Sequence, residues 1–159
     1  MERQDIRERI ETSTVDSFFG TYTHSLDSKK RLTIPSDWRE KLGNPQLFVL
    51  PGVNTKCLSV FPANEMARRL EKFRNVSIAD TRAQQFARAI FARANQVPWD
   101  SQGRIRISDE LMGWAGLTDQ VVLAGVGTRF ELWSPERWSE AQPAMDMAGF
   151  EEAAKYIGF

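Results

Sequence analysis

The chain carries one stretch twice. Leu26-Asp27-Ser28-Lys29-Lys30-Arg31-Leu32-Thr33-Ile34-Pro35 returns as Trp99-Asp100-Ser101-Gln102-Gly103-Arg104-Ile105-Arg106-Ile107-Ser108. Both copies hold Asp-x-x-x-Arg, then an alternating apolar strand, then a Pro or Ser where a helix can begin. The offset from Asp27 to Asp100 is 73 residues. Kept without a gap, it sets Phe18 on Phe91, Gly43 on Gly116, Val49-Leu50 on Val122-Leu123 and Gly52-Val53 on Gly125-Val126. It also sets Thr55 on Thr128, Lys56 on Arg129, Cys57 on Phe130 and Pro62 on Pro135. A register held over more than 40 residues marks an internal duplication.

Each copy reads as strand, turn, strand, short helix, hairpin, helix. In the first, Phe18 to His24 is a strand of aromatics and Thr, and Leu32-Thr33-Ile34 is the next. Ser36 is placed to cap a helix over Asp37 to Leu42, stopped by Gly43. Leu47 to Leu50 and Lys56 to Phe61 form a hairpin around Pro51-Gly52-Val53-Asn54-Thr55. Pro62 opens a helix to Arg74 with Met66, Leu70 and Phe73 on one face. In the second copy the matching elements are Ile105 to Ile107, a Ser108-capped helix to Ala115 with Gly116 as stop, Gln120 to Ala124 and Arg129 to Trp133. Ser134-Pro135 then caps and starts a helix. Between the copies, Thr81 and Gln84 have capping-box spacing. Ala83, Phe86, Ala87, Ile90, Ala94 and Val97 continue a helical stripe, and Arg82, Arg88 and Arg93 outside it read as a solvated outer face in preference to a direct DNA contact.

This divides the chain into an extension over 1–17, a first repeat over 18–74, a connecting helical region over 75–90, a second repeat over 91–140 and a tail over 141–159. Ile6 and Ile10 suggest at most one helical stripe in the extension. Met147, Phe150 and Ala154 suggest a tail helix within Ala144 to Ile157. Short strands with open edges pair poorly alone. Two copies that satisfy each other's edges predict one interleaved α+β unit rather than two beads.

The formal net charge is zero, but it is unevenly spread. Residues 1–17 carry −2, residues 18–130 carry +6 and residues 131–159 carry −4. A basic middle between acidic ends permits a polyanionic partner. No apolar run is long enough to span a membrane. The start has no apolar signal-peptide core. One cysteine allows no internal disulfide and fits a reducing cytoplasm.

No catalytic constellation is present. His24, Ser25 and Asp27 are triad residue types, but alternation along a strand points them apart. One His and one distant Cys make no metal site. Gly125-Val126-Gly127 lacks the third glycine and the long helix of a dinucleotide loop and reads as a hairpin turn. No enzyme, cofactor or metal is expected. What remains is Asp-x-x-x-Arg, twice. Asp27 and Asp100 can accept backbone N–H bonds in a tight turn and hold the guanidinium of Arg31 or Arg104 in one orientation. The residues leave two readings open. The pairs either only lock turns, or also display Arg31 and Arg104 at related places beside Lys29, Lys30 and Arg106, where phosphates or guanine edges would fit.

The string Phe19-Gly20-Thr21-Tyr22-Thr23-His24-Ser25-Leu26-Asp27-Ser28-Lys29-Lys30-Arg31, followed by Asp100-Ser101-Gln102-Gly103-Arg104 and Phe130-Glu131-Leu132-Trp133, closely resembles the MraZ family. The resemblance covers about Phe18 to Trp138. It implies two tandem AbrB-like repeats, swapped-hairpin β-barrel halves forming one pseudo-two-fold unit. It also implies a cytoplasmic, nucleoid-associated transcriptional regulator. The expected partners are double-stranded DNA and further copies of the chain in a ring. The DNA would be short direct repeats upstream of the division and cell-wall gene cluster, the regulator's own operon. The family's DNA-binding signature maps onto Asp27 and Arg31, and onto Asp100 and Arg104. This chain has Lys30 where the family usually has Gly, and it has an extension before Phe18. AbrB-type folds also serve as antitoxin-like protein-binding modules, and a scaffold ring without DNA binding is the remaining alternative.

Overall fold

The computed structural model describes residues 17–159, so Ile6, Ile10 and the expected helical stripe of the extension lie outside the described residues. The first repeat contributes β1 (Thr21–Ser25), β2 (Arg31–Thr33), α1 (Ser36–Lys41), β3 (Gln46–Pro51), β4 (Leu58–Pro62) and α2 (Ala63–Arg74). A helix α3 (Thr81–Ala89) and a 3-10 turn (Phe91–Arg93) connect to the second. There follow β5 (Asn95–Pro98), β6 (Arg104–Arg106), α4 (Asp109–Ala115), β7 (Gln120–Gly125), β8 (Phe130–Trp133), α5 (Pro135–Glu140) and the tail helix α6 (Met147–Ile157).

The repeats interleave within an α+β fold. A six-stranded antiparallel sheet runs β1-β7-β8-β4-β3-β5, and β2 pairs with β6 separately. Each repeat keeps its own hairpin, β3–β4 or β7–β8, and lends its first strand to the other repeat's hairpin. The hairpins join through β4 and β8. Among the described residues no strand pairing outside the hairpins is internal to one repeat, so neither half satisfies its edges alone.

Alternation along these strands sorts the side chains. Leu47, Val49, Leu58, Val60, Val121, Leu123, Phe130 and Leu132 face one common core with Leu32, Ile34, Trp38, Ile105 and Ile107. The opposite face carries two smaller clusters. Leu50, Phe61, Met66 and Ile90 form one, beneath α2 and α3, and Cys57, Val122, Ala124 and Trp133 form the other, against Trp138. Trp38 is the largest fully buried side chain. Its ring meets Phe18, Tyr22 and Phe130, and its N–H donates to the Phe19 carbonyl at 3.1 Å. Gly125 lets the backbone at Phe18-Phe19 pass close by, since a Cβ there would lie 2.6 Å from the Phe18 carbonyl carbon.

The register corrects the gapless alignment. In the two exchanged pairings His24 faces Val121 and Leu47 faces Val97. His24 and Val97 keep the 73-residue offset, so Leu47 corresponds to Val121, an offset of 74. The β4–β8 pairing maps onto itself only when Leu58 corresponds to Phe130, an offset of 72. The causes are local. Helix α4 has seven residues and α1 has six. The loop between β3 and β4 spans 52–57, and that between β7 and β8 spans 126–129. A slip of one residue would turn each strand's apolar set outward, so burial forces the shift. Cys57 therefore matches Arg129, not Phe130, and precedes the strand rather than lying within it.

Several element ends also move. Pro35, not Ser36, is the N-cap of α1, and that helix ends at Leu42 without using Gly43. Pro62 is the N-cap of α2 rather than its first residue. The Asp80 carboxylate caps α3, accepting from the Ala83 N–H at 3.1 Å, in place of a Thr81–Gln84 box. The stripe expected to run to Val97 breaks at Ile90, and Val97 joins β5, because the exposed edge of β3 needs a partner. The caps at Ser108, Gly116 and Ser134-Pro135 form as expected. Among the described residues no helix is long and apolar enough to cross a membrane.

The exchange of strands predicts that residues 17–89, expressed alone, lack a cooperative monomeric fold. Circular dichroism and sedimentation should show an unfolded or self-associated chain. A monomer with a sharp urea transition would contradict the pairing argument.

Candidate nucleic-acid interface

The β2–β6 ribbon is the shortest sheet and the most unusual surface. Arg31 pairs with Arg106, Leu32 with Ile105, and Thr33 with Arg104. Leu32 and Ile105 are fully buried. The period of two then places Arg31, Thr33, Arg104 and Arg106 together on the opposite face. The ribbon presents three arginines across two strands, with the pseudo-dyad passing through the buried pair.

A carboxylate organises each end. Asp27 Oδ1 accepts the backbone N–H groups of Lys29 at 2.9 Å and Arg31 at 2.8 Å. Arg31 Nε donates to Asp27 Oδ2 at 2.7 Å. Asp100 Oδ1 accepts from Gln102 at 2.9 Å and Arg104 at 3.0 Å. Arg104 Nε and Nη2 both lie 2.8 Å from Asp100 Oδ2. Backbone bonds close the turns, from Lys30 N–H to the Asp27 carbonyl and from Gly103 N–H to the Asp100 carbonyl. One carboxylate thus fixes both the loop and the arginine leaving it.

The clamps differ in strength. Arg104 is gripped through two nitrogens and also lies 3.9 Å from Asp27 Oδ2. Arg31 is held through Nε alone. Side-chain and backbone hydrogen bonds from Arg104 push the Asp100 carboxyl down to about 2. Asp27 is also lowered, first through the Arg31 backbone N–H.

The turns differ at two residues, Lys29 against Gln102 and Lys30 against Gly103, and the second difference bears on the backbone. Lys30 has φ 59° and Gly103 has φ 76°, so both occupy the left-handed region. A non-glycine residue there costs roughly 1–2 kcal/mol. Lysine occupies this conformation at the first turn, whereas at the second a side chain would displace Arg39. Any Cβ on Gly103 would strike the guanidinium of Arg39, which is anchored by a 3.0 Å bond from its Nε to the Ile34 carbonyl. The residue matching Arg39 is Met112, which is buried in the common core instead. The Lys30 ammonium pairs with Asp109 and lowers that carboxyl.

Arg31, Arg104, Lys29, Lys30 and Arg106 all lie on this ribbon or its turns, with Asp27 and Asp100 bonded to Arg31 and Arg104. Lys29 and Arg106 are exposed. Three participants were not legible in the sequence: Thr33, Arg39 and Asp109. The strand register identifies Thr33, but nothing in the spacing points to the other two. His24 Nδ1–H donates to the Thr33 carbonyl at 2.7 Å and so braces the ribbon. Burial pushes the Cys57 thiol up to about 11, which suits no nucleophile. Among the described residues no group of metal-binding side chains gathers.

Gly103→Ala should destabilise the protein by ~1–2 kcal/mol from backbone strain alone, and by more because Arg39 is displaced. In an Arg39→Ala background the excess should vanish, which urea titrations of the four chains in a double-mutant cycle would measure. Equal losses in both backgrounds would exclude crowding by Arg39. A second expectation concerns pH. Asp100 has its folded value below the ordinary 3.8, so its contribution is complete above that value. It is lost as pH falls from there to about 2. Carboxyl NMR should place the Asp100 midpoint near 2, and replacement by Asn should flatten stability across that interval.

The family model described as "MraZ protein, putative antitoxin-like" matches twice in tandem, over residues 17–89 and 90–157. The chain is 36% identical over 142 residues to the "Transcriptional regulator MraZ" of Clostridium acetobutylicum, covering 89% of this chain and 99% of that protein. Its identity to the protein of the same name from Clostridium tetani is 39% over 127 residues, 80% of this chain and 88% of the relative. The Thermomicrobium roseum protein, again named "Transcriptional regulator MraZ", is 38% identical over 122 residues, 77% of this chain and 84% of the relative. Two tandem matches and relatives that align over nearly their whole length leave one assignment: the chain belongs to the MraZ family.

Proposed function

We propose that this protein is a sequence-specific DNA-binding transcriptional regulator that lays its β2–β6 ribbon in the major groove. The observation that carries the reading is the row of arginines over the buried Leu32–Ile105 pair. The major groove admits a two-stranded ribbon, and arginine reads guanine there through its O6 and N7. Arg31 and Arg104 take the base edges, since Asp27 and Asp100 have already oriented them. Lys29, Lys30 and Arg106, at the ribbon's ends, take phosphates. Asp27 and Asp100 touch no phosphate, and they act by holding the arginines and turns. The name that these relatives carry, transcriptional regulator, supports the same reading. The protein is not an enzyme on this account.

The finer picture extends the family resemblance. Copies of the chain assemble into a ring, and the ring engages short direct repeats upstream of the division and cell-wall gene cluster, its own operon, on the nucleoid in the cytoplasm. Linked weak contacts raise avidity through effective concentration. Arg104 contributes more than Arg31, because a guanidinium immobilised on its inner edge presents its outer edge with less freedom left to lose.

A mobility shift with DNA from upstream of the protein's own coding region, against scrambled DNA at equal salt, tests the reading. Loss of a guanine contact should cost ~1–3 kcal/mol and relax specificity, while loss of a phosphate contact lowers the salt slope by about 1. Arg104→Ala should therefore weaken specific binding more than Arg31→Ala. Lys29→Ala should reduce the salt slope with little change in specificity. Unchanged affinity in the double arginine variant, with its oligomer intact, would leave the clamps as turn locks only.

A further inference from the structure

Two apolar features of this chain are left uncovered, and they match. The first is the tail helix α6. The Asp146 carboxylate caps its start, accepting from the Gly149 N–H at 2.8 Å, and Gly158 closes its end in the left-handed conformation. Met147, Phe150, Ala154 and Ile157 fall at intervals of three, four and three residues, one apolar stripe along the helix. Met147 is 85% exposed, Phe150 50% and Ile157 71%. None of them belongs to a buried cluster of the described residues. An 11-residue helix without tertiary packing is marginal in water, so a stripe of this kind needs a cover.

The second feature is a groove on the outer face of the six-stranded sheet. Two cavities of about 420 and 320 Å³ adjoin there and share Val53, Thr55, Phe86 and Ile90. Phe61, Met66 and Phe73 extend the apolar lining of the larger, and Trp114 extends that of the smaller. The groove is bordered by Arg69, Lys72, Lys56 and Arg93, of which Arg69 and Arg93 pair with Glu65 and Glu110, and its lining also holds the Arg129–Glu131 pair. Lys72 and Lys56 pair with no carboxylate among the described residues. The tail has the opposite sign: residues 141–159 hold Asp146, Glu151, Glu152 and Lys155, a net −2, and Glu151 borders the stripe, one turn beyond Met147 and 3.6 Å from Lys155.

We infer that α6 of one copy docks in the Val53–Phe86 groove of the next. This rests on the oligomeric part of the proposed function and names the joint that would build it. An amphipathic helix in an apolar groove, anchored at intervals of three and four residues, is a recurring mode of recognition. The joint is heterologous, because tail and groove are different surfaces. Head-to-tail joints of this kind close into rings when their rotation permits. The acidic tail and the basic groove also supply the sign that guides one copy to the next.

The test uses full-length chains and sedimentation at micromolar concentration. A tail variant, Phe150→Glu with Ile157→Glu, changes only side chains that are exposed in the single chain. A groove variant, Val53→Glu with Lys72→Glu, changes one side chain of an exposed loop and one exposed cation. Circular dichroism should match the parent for both. Each variant alone should fall from the multimeric mass of the parent to the mass of one chain. Mixed together they should form one-to-one dimers and go no further, since only one intact joint remains. In the charge test, Lys72→Glu should weaken assembly at least tenfold, and Glu151→Lys in the same chain should recover part of it. Parent-sized assemblies from both variants would overturn the joint and leave the ring standing, and docking of α6 in its own chain's groove would give the same result. Dissociated variants that fail to dimerise on mixing would also overturn it. A parent chain that is itself monomeric would overturn the ring as well.

Discussion

Three residue pairs, Arg31–Arg106, Leu32–Ile105 and Thr33–Arg104, set the terms for the rest of this molecule. A ribbon so short has little stability of its own. It persists because Leu32 and Ile105 are driven into the common core from one side, while Asp27 and Asp100 tie its ends from the other. Burial of the central pair brings the two repeats face to face. The exchanged strands and the β4–β8 seam then follow as the pairings that leave the fewest open backbone edges. The same burial turns every second side chain outward, and those side chains are mostly arginine.

Charge at this surface is arranged for orientation more than for strength. Asp27, Asp100 and Asp109 sit among Lys29, Lys30, Arg31, Arg104 and Arg106, so much of the positive charge is already answered. A surface built only to hold a polyanion would omit those carboxylates. Their presence lowers non-specific attraction and fixes where the guanidinium groups point. That trade favours discrimination between partners over raw affinity.

The fold was legible in the sequence to the degree that it repeats. The doubled Asp-x-x-x-Arg, the capping residues Ser108 and Ser134, and the alternating strands carry local signals strong enough to survive tertiary context. What was not legible depended on counting residues across loops. The offsets of 74 and 72 come from one extra residue in a helix and two fewer in a hairpin, and an apolar run such as Leu47-Phe48-Val49-Leu50 hides a one-residue slip. Val97 continued a helical stripe in the sequence but was needed as an edge partner for β3. At the site, the basic residues and their carboxylates were visible because they share a motif. Arg39 and Asp109 were not, since each meets its turn from the opposite repeat or from a separate helix.

The inequality of the two turns has a geometric consequence. Lys30 with Asp109 marks one end of the ribbon, and Gly103 beneath Arg39 marks the other. A ribbon made from two identical chains would look the same after half a rotation and would suit sites that read alike on both strands. Duplication within one chain has released this ribbon from that requirement. It has a head and a foot. Laid along a duplex it would carry an arrow, and successive copies with their arrows aligned would match sites repeated in one direction rather than mirrored about a centre.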